Sequence, residues 1–163
     1  MGILDGLDDA TLRRPVLPSG RHCLGPVQHL ALDVERFWFR AVAAGDEAVI
    51  RHLAEEDDAW RVSADVPAAE VLARYRREAG RADAVIAAGP ADRALARRPH
   101  DLFGEPHPHD LFGEPHPHDL FGEPHPHALG DVLLHVITDT ACHAGHLDAA
   151  RELLGGRRRP VLP

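Results

Sequence analysis

Lysine and asparagine are absent from this chain, and all 18 basic residues are arginine. Its 163 residues include only two cysteines, Cys23 and Cys142, which excludes the disulfide framework of a small secreted domain. No apolar run approaches the roughly 20 residues that a membrane helix needs. No basic segment followed by an apolar one marks a signal peptide. We therefore expect a cytoplasmic protein that is not attached to a membrane.

Acidic residues outnumber basic ones by 26 to 18, which gives a formal net charge of -8. Nucleic-acid-binding domains usually carry an excess of positive charge, so this balance argues against a DNA or RNA partner. Hydrophobic residues make up 44% of the chain, which is enough to form a core. The length fits a single domain over residues 1–163.

Apolar residues recur at spacings of three and four in three long stretches, and this period predicts α-helices. The stretches cover residues 24–44, about 67–88 and 129–154, and a glycine follows each of them. Shorter helical turns are predicted at 8–12 and 47–54. Alternating strand patterns are almost absent. The sequence therefore predicts an all-α fold, arranged as an up-and-down helical bundle.

A tandem repeat separates the last two long helices. The unit HDLFGEPHP occurs at 100–108, 109–117 and 118–126, inside a loop that we place at 99–127. One interpretation is a metal-buffering tract, because HPH places two imidazoles on an extended segment. The other is a tandem duplication in a tolerant loop, since closure entropy rises slowly with loop length. The identity of the copies favours the duplication.

An acidic residue and a histidine interrupt the apolar stripe of the last helix. The stripe consists of Val132, Val136, Asp139, His143, Leu147, Ala150 and Leu154. Asp139 and His143 are four residues apart, so they are neighbours on one face. A buried carboxylate without a partner costs several kcal/mol, so the site needs a compensating charge or a metal. Divalent transition metals accept imidazole and carboxylate together. The alternative is an internal Asp–His ion pair.

A metal held by this pair would need a third ligand from another segment. His29 flanks the apolar stripe of the first long helix and can point inward. His22, in the loop before that helix, and His52 are the other candidates. His135 and His146 lie one turn to either side of the pair, at the edge of the same stripe.

Three segments in order resemble the DinB-like superfamily, and most closely its actinobacterial branch of mycothiol-dependent enzymes. They read GPVQHLALDVERFWFRAV, DVPAAEVLARYRREAGRADAVI and VLLHVITDTACHAGHLDAARELL. The resemblance covers most of 8–98 and 128–156 and leaves out the repeats. It implies a four-helix bundle that holds a divalent metal, zinc or nickel, near one end.

The resemblance also implies a ligand set, with one histidine on the second helix of the family and two residues four apart on the last helix. These positions fall on His29, Asp139 and His143. The family pair is often Glu/His or His/His, so Asp139 is one methylene shorter than usual. His146 would support the ligands or orient the substrate. The implied activity is a metal-dependent thiol S-transferase or isomerase that uses mycothiol and acts on a small electrophile.

In the family a long first helix precedes the segment that resembles LDGLDDATLRRPVLPSG, and here only the first few residues precede it, so we expect that helix to be missing. A bundle without that helix would expose an apolar face, so we expect a homodimer that covers it. The departure also keeps two other functions open. One is a non-catalytic or degenerate metal-binding bundle, and the other is a His-rich metal buffer that acts through the repeats.

Cys142 and Arg36 are two further residues with side chains that could take part in a reaction. Cys142 is next to His143 in sequence, but on a helical wheel it points about 100° away, so we expect no Cys–His nucleophilic pair. Arg36 could bind a carboxylate of a thiol cofactor. A solvated helix face is the better interpretation of Arg36.

Overall fold

The computed structural model describes residues 2–16, 20–53, 58–99, 102 and 127–155. After a 3-10 turn at Gly2–Leu4, the helices are α1 (Asp9–Leu12), α2 (Leu24–His29, continuing as a π-helix over Leu30–Ala43), α3 (Glu47–His52), α4 (Ala68–Ala87) and α5 (Leu129–Leu153). Within these ranges the single β contact is an isolated bridge. The predicted all-α bundle with three long helices is confirmed.

The helices begin and end where local hydrogen bonds and backbone conformation require it. The Asp8 carboxylate caps α1 by accepting from the Thr11 N–H at 2.8 Å. The Asp46 carboxylate caps α3 in the same way. Gly45, at φ +67, ends the π-helix, and a Cβ there would lie 2.9 Å from the Ala96 Cβ. Pro67 lies just ahead of α4, with an extended ψ of 143.

The segment predicted as one α-helix over 24–44 widens into a π-helix directly after His29. At its end, the Ala44 N–H donates to the Phe39 carbonyl, five residues back, at 3.0 Å. The five apolar positions that predicted this helix, Val27, Leu30, Val34, Phe37 and Ala41, are all buried. Glu35 and Phe39 are buried as well, because α4 and α5 both pack on this segment. π-helices are rare and are frequently found at functional sites.

The core divides into two hydrophobic clusters along the long helices. Val136 on α5 belongs to the first cluster, and Leu147 on the same helix belongs to the second. Leu30 in the π-helix belongs to the first cluster and Val27 on α2 to the second. The polar residues of α2 and α5 therefore lie at the level where one apolar cluster gives way to the other.

The chain segments on either side of the repeats are held together by backbone hydrogen bonds. The Leu129 N–H donates to the Arg93 carbonyl at 2.9 Å, and the Gly130 N–H donates to the Ala91 carbonyl at 2.7 Å. Leu102 packs against the first cluster. The rest of the tract lies outside the described residues, so its two interpretations stay predictions. In the described part of the chain, no helix combines the length and apolar character needed to cross a bilayer.

Candidate metal site

Helices α2 and α5 bring together the three residues for which a metal was predicted. His29 is the last residue of α2, and Asp139 and His143 are one turn apart on α5. The Asp139 carboxylate lies between the two rings, with Oδ1 3.2 Å from His143 Nε2 and Oδ2 3.7 Å from His29 Nε2. One donor atom of each residue lies within 4.8 Å of the others. The three side chains could therefore hold one metal ion.

The charges of this group are strongly coupled. Burial lowers the pKa of His29, but its interactions with Asp139 and Asp33 outweigh burial and raise the pKa to about 9. Burial raises the pKa of Asp139, but the two imidazoles outweigh it and hold this pKa well below its usual range. In the metal-free protein a protonated His29 therefore neutralises Asp139. The ion pair and the metal site use the same residues, because a metal would take the place of the proton on His29.

A second carboxylate orients His29 from the other side. The His29 Nδ1–H donates to Asp33 Oδ2 at 2.8 Å. In the neutral ring this bond keeps the proton on Nδ1, so the Nε2 lone pair faces Asp139. Metal-binding histidines in proteins commonly donate their other N–H to a carboxylate in this way. Asp33 is four residues after His29, the same spacing as the Asp139–His143 pair.

His143 is the most enclosed of the three side chains, and the residue is 8% exposed. Its Nε2 faces Asp139, whereas its Nδ1 is buried and has no hydrogen-bond partner among the described residues. Two imidazoles and one carboxylate form a donor set that zinc, nickel and iron accept. The residues fit a divalent metal, and three protein ligands leave a further coordination position open.

Trp60 forms one wall of the site. Its ring stacks on the His29 ring at 4.3 Å and 17°, and meets the edge of the His143 ring at 5.2 Å. The buried Gln28 amide holds the Trp60 loop by donating to the carbonyls of Ala59 and Arg61, both at 3.1 Å. A side chain at Gly25 would lie 3.0 Å from the Trp60 carbonyl oxygen, so glycine permits this close approach.

The outer side of Trp60 carries a cation. The Arg21 guanidinium lies 4.5 Å from the centre of a Trp60 ring, a cation–π contact. Arg21 lies in the loop before α2. The sequence does not reveal that Arg21 lies beside the site.

The other candidate residues lie apart from the three-residue group. His52 is exposed, and its Nδ1–H donates to the Ala48 carbonyl at 2.6 Å. His22 is partly buried, which lowers its pKa, and it is not in the group. His146 lies beside the site, with its ring centre 5.6 Å from that of His143. His135 contacts the Trp38 ring instead, at 4.5 Å.

Two neighbours of His29 are not among the residues that the sequence predicts for the site. Asp33 was detectable, because it repeats the spacing of four residues seen on the last helix. Trp60 was not, because it lies in a loop and reaches His29 only through the tertiary packing. Cys142 is exposed and does not belong to the three-residue group.

The sequence matches the family model of mycothiol-S-transferase over residues 1–156. The chain belongs to the mycothiol-S-transferase family. This match confirms the resemblance to the mycothiol-dependent branch of the DinB-like proteins. No curated protein and no solved structure matches the chain. Membership of the mycothiol-S-transferase family, together with the His29–Asp139–His143 group, indicates a thiol-dependent transferase with a site that could bind a metal.

Proposed function

We propose that this member of the mycothiol-S-transferase family joins the sulfur of mycothiol to a small electrophile at a divalent metal, zinc or nickel. His29, Asp139 and His143 hold the metal. The observation that carries the proposal is the meeting of two imidazoles and one carboxylate from α2 and α5 in a family of thiol transferases. Isomerisation through the same thiol is the related activity that the family resemblance implies.

The three residues would hold a divalent metal, and its charge would lower the pKa of a bound thiol, so that the thiolate would be present at neutral pH. The residues around it prepare the site. Asp33 keeps the His29 proton on Nδ1 and leaves Nε2 free to bind. Trp60 fixes the planes of both imidazoles. His29 must lose its second proton before it binds a metal, which makes metal binding depend on pH.

The transfer itself balances as a substitution or an addition. In a substitution the thiol loses its proton to solvent, the S–C bond forms, and the leaving group departs with the bonding electrons. In an addition the proton goes to the substrate. We place this chemistry in the cytoplasm, where low-molecular-weight thiols are kept reduced.

The test compares thiol transfer by matched variants. Zinc-loaded and nickel-loaded protein is assayed with mycothiol and 1-chloro-2,4-dinitrobenzene. We expect transfer by the wild-type protein, loss of most of it in His143→Ala, and retention in Cys142→Ser. The last variant matters because the exposed Cys142 thiol could react with the electrophile by itself. Full activity in His143→Ala would contradict the proposal.

A non-catalytic metal-binding bundle is the second candidate. It is favoured by the identity of Asp139, whose side chain is one methylene shorter than the glutamate that is frequent at this position of the family. Stoichiometric metal binding without transfer to any of several electrophiles would support this candidate over the transferase.

A further inference from the structure

We propose that the cavity between α5, the π-helix, α4 and the N-terminal turn binds the apolar part of the electrophile. The ligand class is a small, mostly hydrocarbon molecule that carries one hydrogen-bond acceptor, such as a carbonyl oxygen. Its role in the reaction rests on the proposed function. Its ability to bind such a molecule does not, and can be measured without metal or thiol.

The cavity runs alongside the candidate metal site. Its volume is about 310 Å³, and Leu30, Thr140 and Ala144 form part of its wall. Each of these residues directly follows one of the three candidate ligands in the sequence. Successive residues of an α-helix are rotated by about 100°, so on α5 the cavity lies beside the ligand face. A molecule bound there would lie beside the helix face that carries the candidate ligands.

The walls are mainly apolar. Ile3 and Leu147 contribute hydrocarbon surface, and the N-terminal turn, through Gly2 and Ile3, forms one side. Small-molecule sites typically have volumes of about 300–1,000 Å³ and combine apolar walls with a few polar groups. This cavity is at the small end of that range, so it suits a compact ligand. The lining residues with polar side chains are Tyr75 and Thr140.

Thr140 carries the strongest indication of a missing partner. Two residues earlier, the Thr138 hydroxyl donates to the Leu134 carbonyl at 2.9 Å, the usual bond of a helical threonine. Thr140 Oγ1, in contrast, is buried and has no hydrogen-bond partner among the described residues. A buried hydroxyl without a partner is costly, and a ligand acceptor in the cavity would satisfy it.

Tyr75 supplies the second donor. It is half-buried on α4 and lines the cavity together with Thr140. Burial raises the pKa of Tyr75, and the nearby Glu35 and Asp83 carboxylates raise it further. The phenol therefore keeps its proton at neutral pH and can donate. Two donors in one apolar cavity favour a ligand acceptor over a ligand that is purely hydrocarbon.

The test is an NMR titration of the full metal-free chain with acetophenone, an aromatic ketone, and with toluene. We expect acetophenone to bind the wild-type protein and to shift resonances of the cavity residues. The near-isosteric Thr140→Val should weaken acetophenone binding roughly three- to tenfold and leave toluene binding unchanged. Thr138→Val is the matched control, because its hydroxyl is already bonded within the helix, and should leave both ligands unchanged.

Three results would overturn the proposal. They are no binding of acetophenone to the wild-type protein, equal weakening by Thr140→Val and Thr138→Val, and unchanged binding in Ala144→Leu, which fills the cavity. Thr140→Val changes almost no volume, so the proposal is still tested if the larger side chain prevents folding. Acetophenone binding without thiol transfer would refute the proposed function and leave the cavity assignment standing.

Discussion

At the scale of single residues, carboxylates and imidazoles alternate across the site. The order is Asp33, His29, Asp139 and His143, with contacts of 2.8, 3.7 and 3.2 Å between successive side chains. Each anion lies beside a ring that can carry a proton or a metal. Asp139 is partly buried, and the positive charge that the two helices share around it offsets the cost of that burial.

Loss of the carboxylate charge at Asp33 should weaken the site without destroying it. We expect Asp33→Asn to lower zinc affinity about tenfold, because residues that orient a metal-bound histidine typically contribute 10–100-fold. The measurement is competition with a zinc chelator of known affinity. Asp92→Asn, which removes the same charge from an exposed turn, is the control and should change nothing. Equal affinities for all three proteins would contradict the role of Asp33.

The stability of the metal-free protein should fall as the pH rises from 6.5 to 9. The His29 pKa is raised from 6.5 to about 9, so its contribution is fully present below 6.5 and is lost as the pH passes 9. The Asp139 pKa is lowered, so its contribution is lost only in acid, below the ordinary value of 3.8. Urea unfolding of chelated protein at several pH values measures both.

Asp139→Asn is the matched variant for this pH series. It removes one of the two anions that raise the His29 pKa, so stability should fall less steeply between pH 6.5 and 9. Identical slopes in the two proteins would show that His29 and Asp139 are not coupled.

Asp139 and His143 could be identified from the sequence, because polar residues in an apolar stripe are costly to bury unless they have a partner. The choice of His29 over His22 and His52 rested on the family resemblance, since nothing in the spacing distinguishes histidines on separate segments. Trp60 could not be predicted, because its contact with His29 depends on how a loop packs over two helices.

At the scale of the helices, an ion-pair network ties the π-helix to its neighbours. The Arg40 guanidinium lies 2.6 Å from an Asp46 carboxylate oxygen and 3.0 Å from a Glu78 oxygen on α4. The Glu78 side chain is only 7% exposed. Arg81 binds its other oxygen at 2.6 Å. The network therefore holds the end of the π-helix against α4.

Removing the central cation should destabilise the fold. We expect Arg40→Met to lower the free energy of unfolding by roughly 2–3 kcal/mol, because it leaves a buried carboxylate with only one exposed partner. Arg77→Met breaks the exposed pair with Glu70 on the same helix and should cost at most about 1 kcal/mol. Urea denaturation measures both variants. Equal costs would show that burial of Glu78 does not matter.

The helices could be placed from sequence to within a few residues, because periodic apolar positions, caps and glycines agreed. The π-helix could not. The apolar positions of this segment are buried, as they would be in an α-helix. Glu35 and Phe39 are buried as well, but their positions in the sequence do not distinguish a π-helix from an α-helix. The wider turn depends on packing against α4 and α5, which the local sequence does not specify.

At the scale of the whole molecule, the repeat tract leaves and returns at nearly the same place. The bridge between Ala94 and Ala128 and the bond from Leu129 to Arg93 close its ends. Deleting 109–126 removes two copies and joins Pro108 to His127, the same Pro-His junction that is present now. We expect the melting temperature to change by no more than about 4 °C, because loop closure entropy depends weakly on length.

Calorimetry of the deletion variant and the wild-type protein provides the comparison. A fall of more than 10 °C, taken as about 3 kcal/mol for a chain of this size, would mean that the repeats pack on the bundle.

The homodimer expected from the sequence stays a prediction. Leu134 and Ile137 on α5 are large apolar side chains that are 68% and 63% exposed.

Metal content of the variant without 109–126, measured by mass spectrometry with and without His143→Ala, tests the account most directly. We predict one zinc or nickel ion per chain in the deletion variant and far less than one after His143→Ala. Metal that disappears with the repeats, or that survives the loss of His143, would contradict a site built by α2 and α5.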